Sequence, residues 1–173
     1  MLAPICFFVY SIGLPLQQER SKKEMTQQDF MQEAIKEAEK GISSHDGGPF
    51  GAIVVKDGKI VGRGHNEVIK AQDPTCHGEV MAIHDACRHL GTYDLSNCDI
   101  YTTSYPCPMC LGAILWANIA HVYYACNTSD AEKIGFRDKQ FYENKDHLNF
   151  QELDHAAGQK LFAEYQKGDH QMY

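Results

Sequence analysis

A histidine and a glutamate stand two residues apart in "PTCHGEV" (74–80), and two cysteines stand three apart in "PCPMC" (106–110). These side-chain types hold metals and move protons. At a spacing of three, one helical turn presents both Cys107 and Cys110 on the same side. They open a predicted helix, where free backbone N–H groups and the positive dipole end favour thiolate, the form that binds zinc. His77 starts another predicted helix and offers a ring nitrogen. That makes three protein ligands, whereas a structural zinc normally has four. A fourth position left to water is what hydrolysis needs, because zinc lowers the pKa of such a water from about 15.7 toward about 7. Glu79 lies within reach but is not required as a ligand. A carboxylate so placed takes a proton from the water and delivers it to a leaving group. The set is sufficient to add water across a C–N bond and expel ammonia.

Plainer uses of the same residues fit less well. A zinc ribbon wants a second CxxC, and the chain has none. A thioredoxin-like redox pair follows an early strand, whereas this pair comes far along the chain. A non-catalytic, zinc-stabilised binding module leaves Glu79 unexplained.

These residues must be positioned by elements that the sequence also marks. Thr26 caps a helix running to Gly41, with Asp29 in a capping-box position and Phe30, Ala34 and Ala38 recurring every fourth residue. "SSHDGGPF" is a glycine-rich loop. "GAIVVKDGKIVGRGHN" reads as a hairpin turning at Asp57-Gly58. Apolar residues from His77 to Leu90 keep helical spacing, and Gly91 closes that helix. "CDIYTTS", "CPMCLGAILWAN" and "AHVYYAC" then read as strand, helix, strand. "SDAEKIGF" reads as a short helix followed by an irregular stretch, and "AAGQKLFAEYQKG" as a last helix. Strand–helix–strand crossovers imply parallel pairing for the later strands. The expected fold is a three-layer α/β/α arrangement with a mixed five-stranded sheet and helices on both faces.

Composition narrows the partners. A formal charge of −7 over 173 residues, with no lysine/arginine run, is poorly suited to gripping a phosphate backbone. No nucleic-acid partner is expected. Seven cysteines without regular spacing argue against a disulfide framework and for a reducing, cytoplasmic setting. "MLAPICFFVYSIGLPL" is too short to span a bilayer, and its charges follow rather than precede the apolar run. No membrane partner is expected, and residues 1–24 are read as an extension preceding a single domain over 25–173.

The pairing H-x-E…P-C-x-x-C is the zinc deaminase signature. With "DPTCHGEVMAI" and "SYPCPMCLGAILWA", the chain resembles the cytidine/deoxycytidylate deaminase superfamily, in the branch of purine and tRNA adenosine deaminases. It is most similar to small bacterial-type guanine deaminases. Supporting stretches are "GGPFGAIVVKDGKIV", "GTYDLSNCDIYTTS" and "SDAEKIGFRDKQFYE". The resemblance implies one zinc per subunit on His77, Cys107 and Cys110, with Glu79 shuttling protons. It implies that Asn66 hydrogen-bonds a purine, that Phe50 and Trp116 pack around its ring, and that Asp138 faces its polar edge. Gly78 would offer its backbone N–H to the substrate. Tyr173 would close the pocket from a C-terminal segment exchanged within a homodimer. The implied reaction is guanine to xanthine plus ammonia, with guanosine, adenine or tRNA adenosine, and cytosine as alternatives. Three positions depart from the pattern. Gly78 replaces the usual alanine, Tyr105 the usual glutamate, and Arg137 a frequent aspartate.

Overall fold

The computed structural model describes residues 24–143, 151, 153 and 155–167. Helix α1 (Gln27–Ser43) starts at the predicted cap. The Thr26 hydroxyl accepts from the Asp29 N–H at 3.2 Å, and the Asp29 carboxylate accepts from the Thr26 N–H at 2.8 Å. Strands β1 (Gly51–Lys56) and β2 (Lys59–His65) form the expected hairpin. Asp57 and Gly58 both turn at positive φ, 49° and 69°, as a tight two-residue turn of this hand requires.

A short helix, α2 (Val68–Ala71), interrupts the loop that follows. Helix α3 (Gly78–Leu90) ends at Gly91 in a left-handed conformation, φ 68°. Then come β3 (Cys98–Ser104), α4 (Pro108–Trp116) and β4 (His121–Cys126). Helices α5 (Thr128–Lys133), α6 (Asp138–Glu143) and α7 (His155–Gln166) complete the order. Helix α6 falls in the stretch expected to be irregular, and α2 was not expected. Neither is long enough to display a helical period.

The sheet runs β2–β1–β3–β4, with β3 and β4 parallel and the other pairs antiparallel. It therefore has four strands among the described residues, not the five expected. Among the described residues no strand follows β4. Asn127 caps α5 in a second capping box with Asp130 and turns the backbone helical at once.

Both faces of the sheet are covered, so Gly51–Val55 of β1 are all buried. On one face Phe30 and Ala34 of α1 pack on Ile53, Val55 and Tyr101. On the other, Ala82, Ile83 and Ala86 of α3 and Ile114 of α4 pack on Ala52, Val54 and Ile100. Helix α3 sits unusually close to β2. A Cβ added at Gly62 or Gly64 would lie 2.4 Å from the backbone of Ala82. Two glycines in one strand thus set the height of the helix that carries the histidine and the glutamate. Among the described residues, no helix is long and apolar enough to cross a membrane.

Candidate active site

The two predicted ligand helices bring their N-termini together. His77 is the N-cap of α3 and Cys107 the N-cap of α4, so both positive dipole ends face one point. The Cys107 and Cys110 sulfurs lie 3.6 Å apart, and each is 3.6 Å from Nδ1 of His77. An equilateral triangle of that size is informative. Tetrahedral zinc with ligands at about 2.0–2.3 Å has ligand–ligand edges of roughly 3.3–3.8 Å. The donor set fits zinc in chemistry and in spacing, with three ligands and room for a fourth.

The thiol electrostatics agree. A hydrogen bond from Cys110, opposed by burial and aided by His77, holds the Cys107 thiol down to about 4. Cys107 in turn, together with burial and Glu79, pushes the Cys110 thiol up. One proton leaves the pair readily. A cation among the sulfurs favours the thiolate form of both cysteines.

Glu79 is in the first turn of α3, only 5% exposed, with Oε2 accepting from the Cys110 sulfur at 3.4 Å. Burial is the main influence on its carboxyl and pushes its pKa up, with Cys107 adding to the effect. A carboxylate held out of water beside the metal ligands exchanges protons more readily than a solvated one.

A cavity of about 520 Å³ opens on this cluster, a volume typical of small-molecule sites. Asn66 and Phe50 line it, as expected. Asn66 is buried, and its Oδ1 accepts from the N–H groups of Gly48 (3.2 Å) and Val68 (3.3 Å). Those two donors fix the amide orientation, so the NH₂ group is the one left to a ligand. The Phe50 ring meets Phe136 edge-to-face, with centroids 4.6 Å apart. Gly78 is buried behind Phe50 at the start of α3, where the first N–H groups have no intrahelical acceptor.

Trp116 is not brought to the cavity of its own chain. It lies six residues beyond Cys110 at the end of α4 and is 69% exposed. Six residues of helix rotate it by about 240° from Cys110, onto a different face. Asp138 opens α6, but its side chain, like all of Tyr173, is outside the described residues.

Several lining residues were not predicted as site residues. Ser104, Phe136 and Phe141 were not named at all, and Tyr105 and Arg137 were noted only as departures. The Tyr142 hydroxyl donates to the Pro106 carbonyl and ties α6 to the ligand loop. Strand parity was a usable signal for Ser104, which continues the Ile100–Thr102 face toward Cys107. A second cluster, Asp46, His65 and Glu67, has ligand-like spacing. It already holds a cation, since Lys70 Nζ lies 3.3 Å from both carboxylates.

Known proteins share this arrangement. Residues 24–126 match the family model of the cytidine and deoxycytidylate deaminase zinc-binding region. A guanine deaminase from Bacillus subtilis is 43% identical over 142 residues, covering 82% of this chain and 86% of the relative. The X-ray structure of a guanine deaminase from the same species superimposes with a TM-score of 0.81 at 38% identity, over 86% of this chain and 99% of that one. A tRNA-specific adenosine deaminase from Streptococcus pyogenes is 42% identical over 112 residues, 65% of this chain and 68% of the relative. With its Cys₂His triangle and buried glutamate, the chain belongs to the cytidine and deoxycytidylate deaminase family and is a zinc-dependent aminohydrolase.

Proposed function

We propose that the protein converts guanine and water to xanthine and ammonia. The observation that carries the chemistry is Glu79, a buried carboxylate 3.4 Å from a ligand sulfur. The choice of guanine rests on the 142-residue likeness to a guanine deaminase. It also rests on Asn66, whose free NH₂ suits a base edge carrying two adjacent acceptors, as guanine N7 and O6 do.

His77, Cys107 and Cys110 would hold the zinc, whose chemistry when bound would be to acidify a neighbouring water. Glu79 accepts a proton from a water and passes it to N3 of the base as the oxygen adds at C2, then carries the proton of the new C2 hydroxyl to the amine, which leaves as ammonia while the C2 carbonyl forms. Asn66 Nδ2 donates to the base and fixes its register. Phe50, braced by Phe136, covers the ring, and the Gly78 N–H donates to the ring carbonyl or the incoming oxygen. Asp138 assists proton movement at the amine-bearing edge.

Residues 25–173 form the catalytic domain, with 1–24 as an extension outside it. A chain starting at Met25 then keeps full activity. The active form is a homodimer in which the C-terminal segment of one subunit, ending in Tyr173, closes the pocket of the other. Exposed apolar side chains support this. Leu161 and Phe162 of α7 are 67% and 71% exposed, and Leu115 and Trp116 of α4 are 72% and 69% exposed. Such surfaces mark contact sites. In this arrangement Trp116 belongs to the face an exchanged segment covers. A cytoplasmic setting is part of this reading, since seven cysteines without regular spacing suit a reducing compartment.

The likeness to tRNA-specific adenosine deaminases favours a second substrate, adenosine in RNA. The charge of −7 argues against it. The deciding experiment measures ammonia release from guanine, guanosine, adenine, cytosine, cytidine and tRNA. Guanine is expected to be the best substrate. Glu79→Gln should keep zinc and melting temperature while losing about 10²- to 10⁴-fold in turnover. Undiminished ammonia release by that variant, or no activity on guanine, would overturn the reading.

A further inference from the structure

Among the described residues, one buried side-chain polar atom has no hydrogen-bond partner within the protein: Oγ of Ser104. Buried hydroxyls are nearly always satisfied, so an orphan needs a cause. Its surroundings supply one. Ser104 is 5% exposed and is the last residue of β3, three positions before the ligand Cys107. Along a strand, alternate residues share a face. Ser104 therefore points to the same side as Ile100 and Thr102, the side covered by α3 and α4, where His77, Glu79 and Cys110 lie. It lines the cavity beside Tyr105 and Cys107. Its backbone is already engaged through the parallel pairing with β4, since Ser104 is in register with Cys126 and the Tyr105 N–H donates to the Cys126 carbonyl at 2.8 Å. Only the hydroxyl is left over. The neighbouring Thr103, on the opposite face, shows the contrast. Its hydroxyl accepts from the Gly51 N–H and donates to the Pro49 carbonyl, a purely internal use.

We infer that Ser104 is a substrate-binding residue whose hydroxyl hydrogen-bonds the polar edge of the bound base. This deepens the deaminase reading and rests on it. Asn66 presents a donor from the loop after β2, and Ser104 presents a group that both donates and accepts from the end of β3. Two polar contacts from two different strand ends define the in-plane orientation of a flat ring. One contact alone leaves the ring free to swing about it. No protein group claims this hydroxyl, so a bound base can engage it without breaking an internal hydrogen bond.

The lack of an internal partner gives a test that separates binding from scaffolding. Ser104→Ala breaks no hydrogen bond within the protein, so the melting temperature should hold. Over the same substitution kcat/KM should fall about three- to tenfold, the range of one neutral hydrogen bond, with KM carrying most of the change. Calorimetric titration with the product xanthine should show a similar rise in Kd. Zinc content should stay at one per chain. A variant with kcat/KM and xanthine affinity within twofold of the parent overturns the assignment. So does one in which melting temperature and activity fall together, as a structural hydroxyl would give. The comparison is made on whichever base the parent turns over fastest. A parent inactive on guanine but active on another ring refutes the guanine reading alone, and the Ser104 variant on that ring still decides this one. A parent active on no aminated ring refutes both.

Discussion

Replacing Gly64 with alanine tests whether the site depends on how closely α3 approaches the sheet. A Cβ on Gly64 would sit 2.4 Å from the Ala82 nitrogen, 2.6 Å from the Gly78 oxygen and 2.7 Å from the Met81 carbonyl carbon. Ordinary contact begins near 3.4 Å. The methyl meets backbone rather than a flexible side-chain end, so no rotamer change relieves it. Helix α3 must lift by about 1 Å, or β2 must bend by as much. Overpacking of this kind costs about 1–3 kcal/mol. For a chain of this length that is a fall of about 2–12 °C in melting temperature. The larger effect falls on function, because the lifted helix begins with His77, Gly78 and Glu79. A displacement near 1 Å lowers turnover by up to about 100-fold. Calorimetry, zinc content per chain and ammonia release measure the three consequences. Gly112→Ala is the control. It adds the same methyl to the helix that carries Cys110, where no described atom of the same chain outside the helix backbone lies within 4 Å, and the stability of the single chain should hold or rise by up to about 1 kcal/mol. A Gly64→Ala protein with the parent's melting temperature, zinc content and turnover would refute the claim that these glycines set the site.

Two further outcomes are expected. Asn66→Asp keeps an acceptor for the Gly48 and Val68 N–H groups but loses the NH₂ donor. The fold should survive while kcat/KM for guanine falls tenfold or more, whereas Asn66→Ala should also lower stability by about 1–3 kcal/mol. Deleting Gln171–Tyr173 should lower turnover more than melting temperature, and sedimentation of the full chain should show a dimer. Unchanged turnover, or a fully active monomer, would refute the exchanged lid.

Much of the site was legible because it is written in local spacing. Cys107 and Cys110 share a helical turn wherever that helix lies, and His77 and Glu79 flank the start of another. The caps at Thr26, the Asp57-Gly58 turn and the Gly91 stop are equally local, and each is found where expected. Strand count was less legible, since no local feature forbids a fifth strand.

The sequence by itself determined the ligand types, the spare carboxylate and the order of elements, because these follow from residue chemistry and from periods of two and 3.6. Tertiary structure decided what surrounds the base. His77 and Cys107 are 30 residues apart and meet only because α3 and α4 pack on the same sheet face. Ser104, Phe136 and Phe141 reach one cavity from β3, from the segment after α5 and from α6, a convergence no linear spacing encodes. Trp116 is carried away by the rotation of its own helix. Metal chemistry resides in neighbours along the chain and can be read there. Substrate recognition resides in neighbours across the fold, where long-range packing alone brings them together.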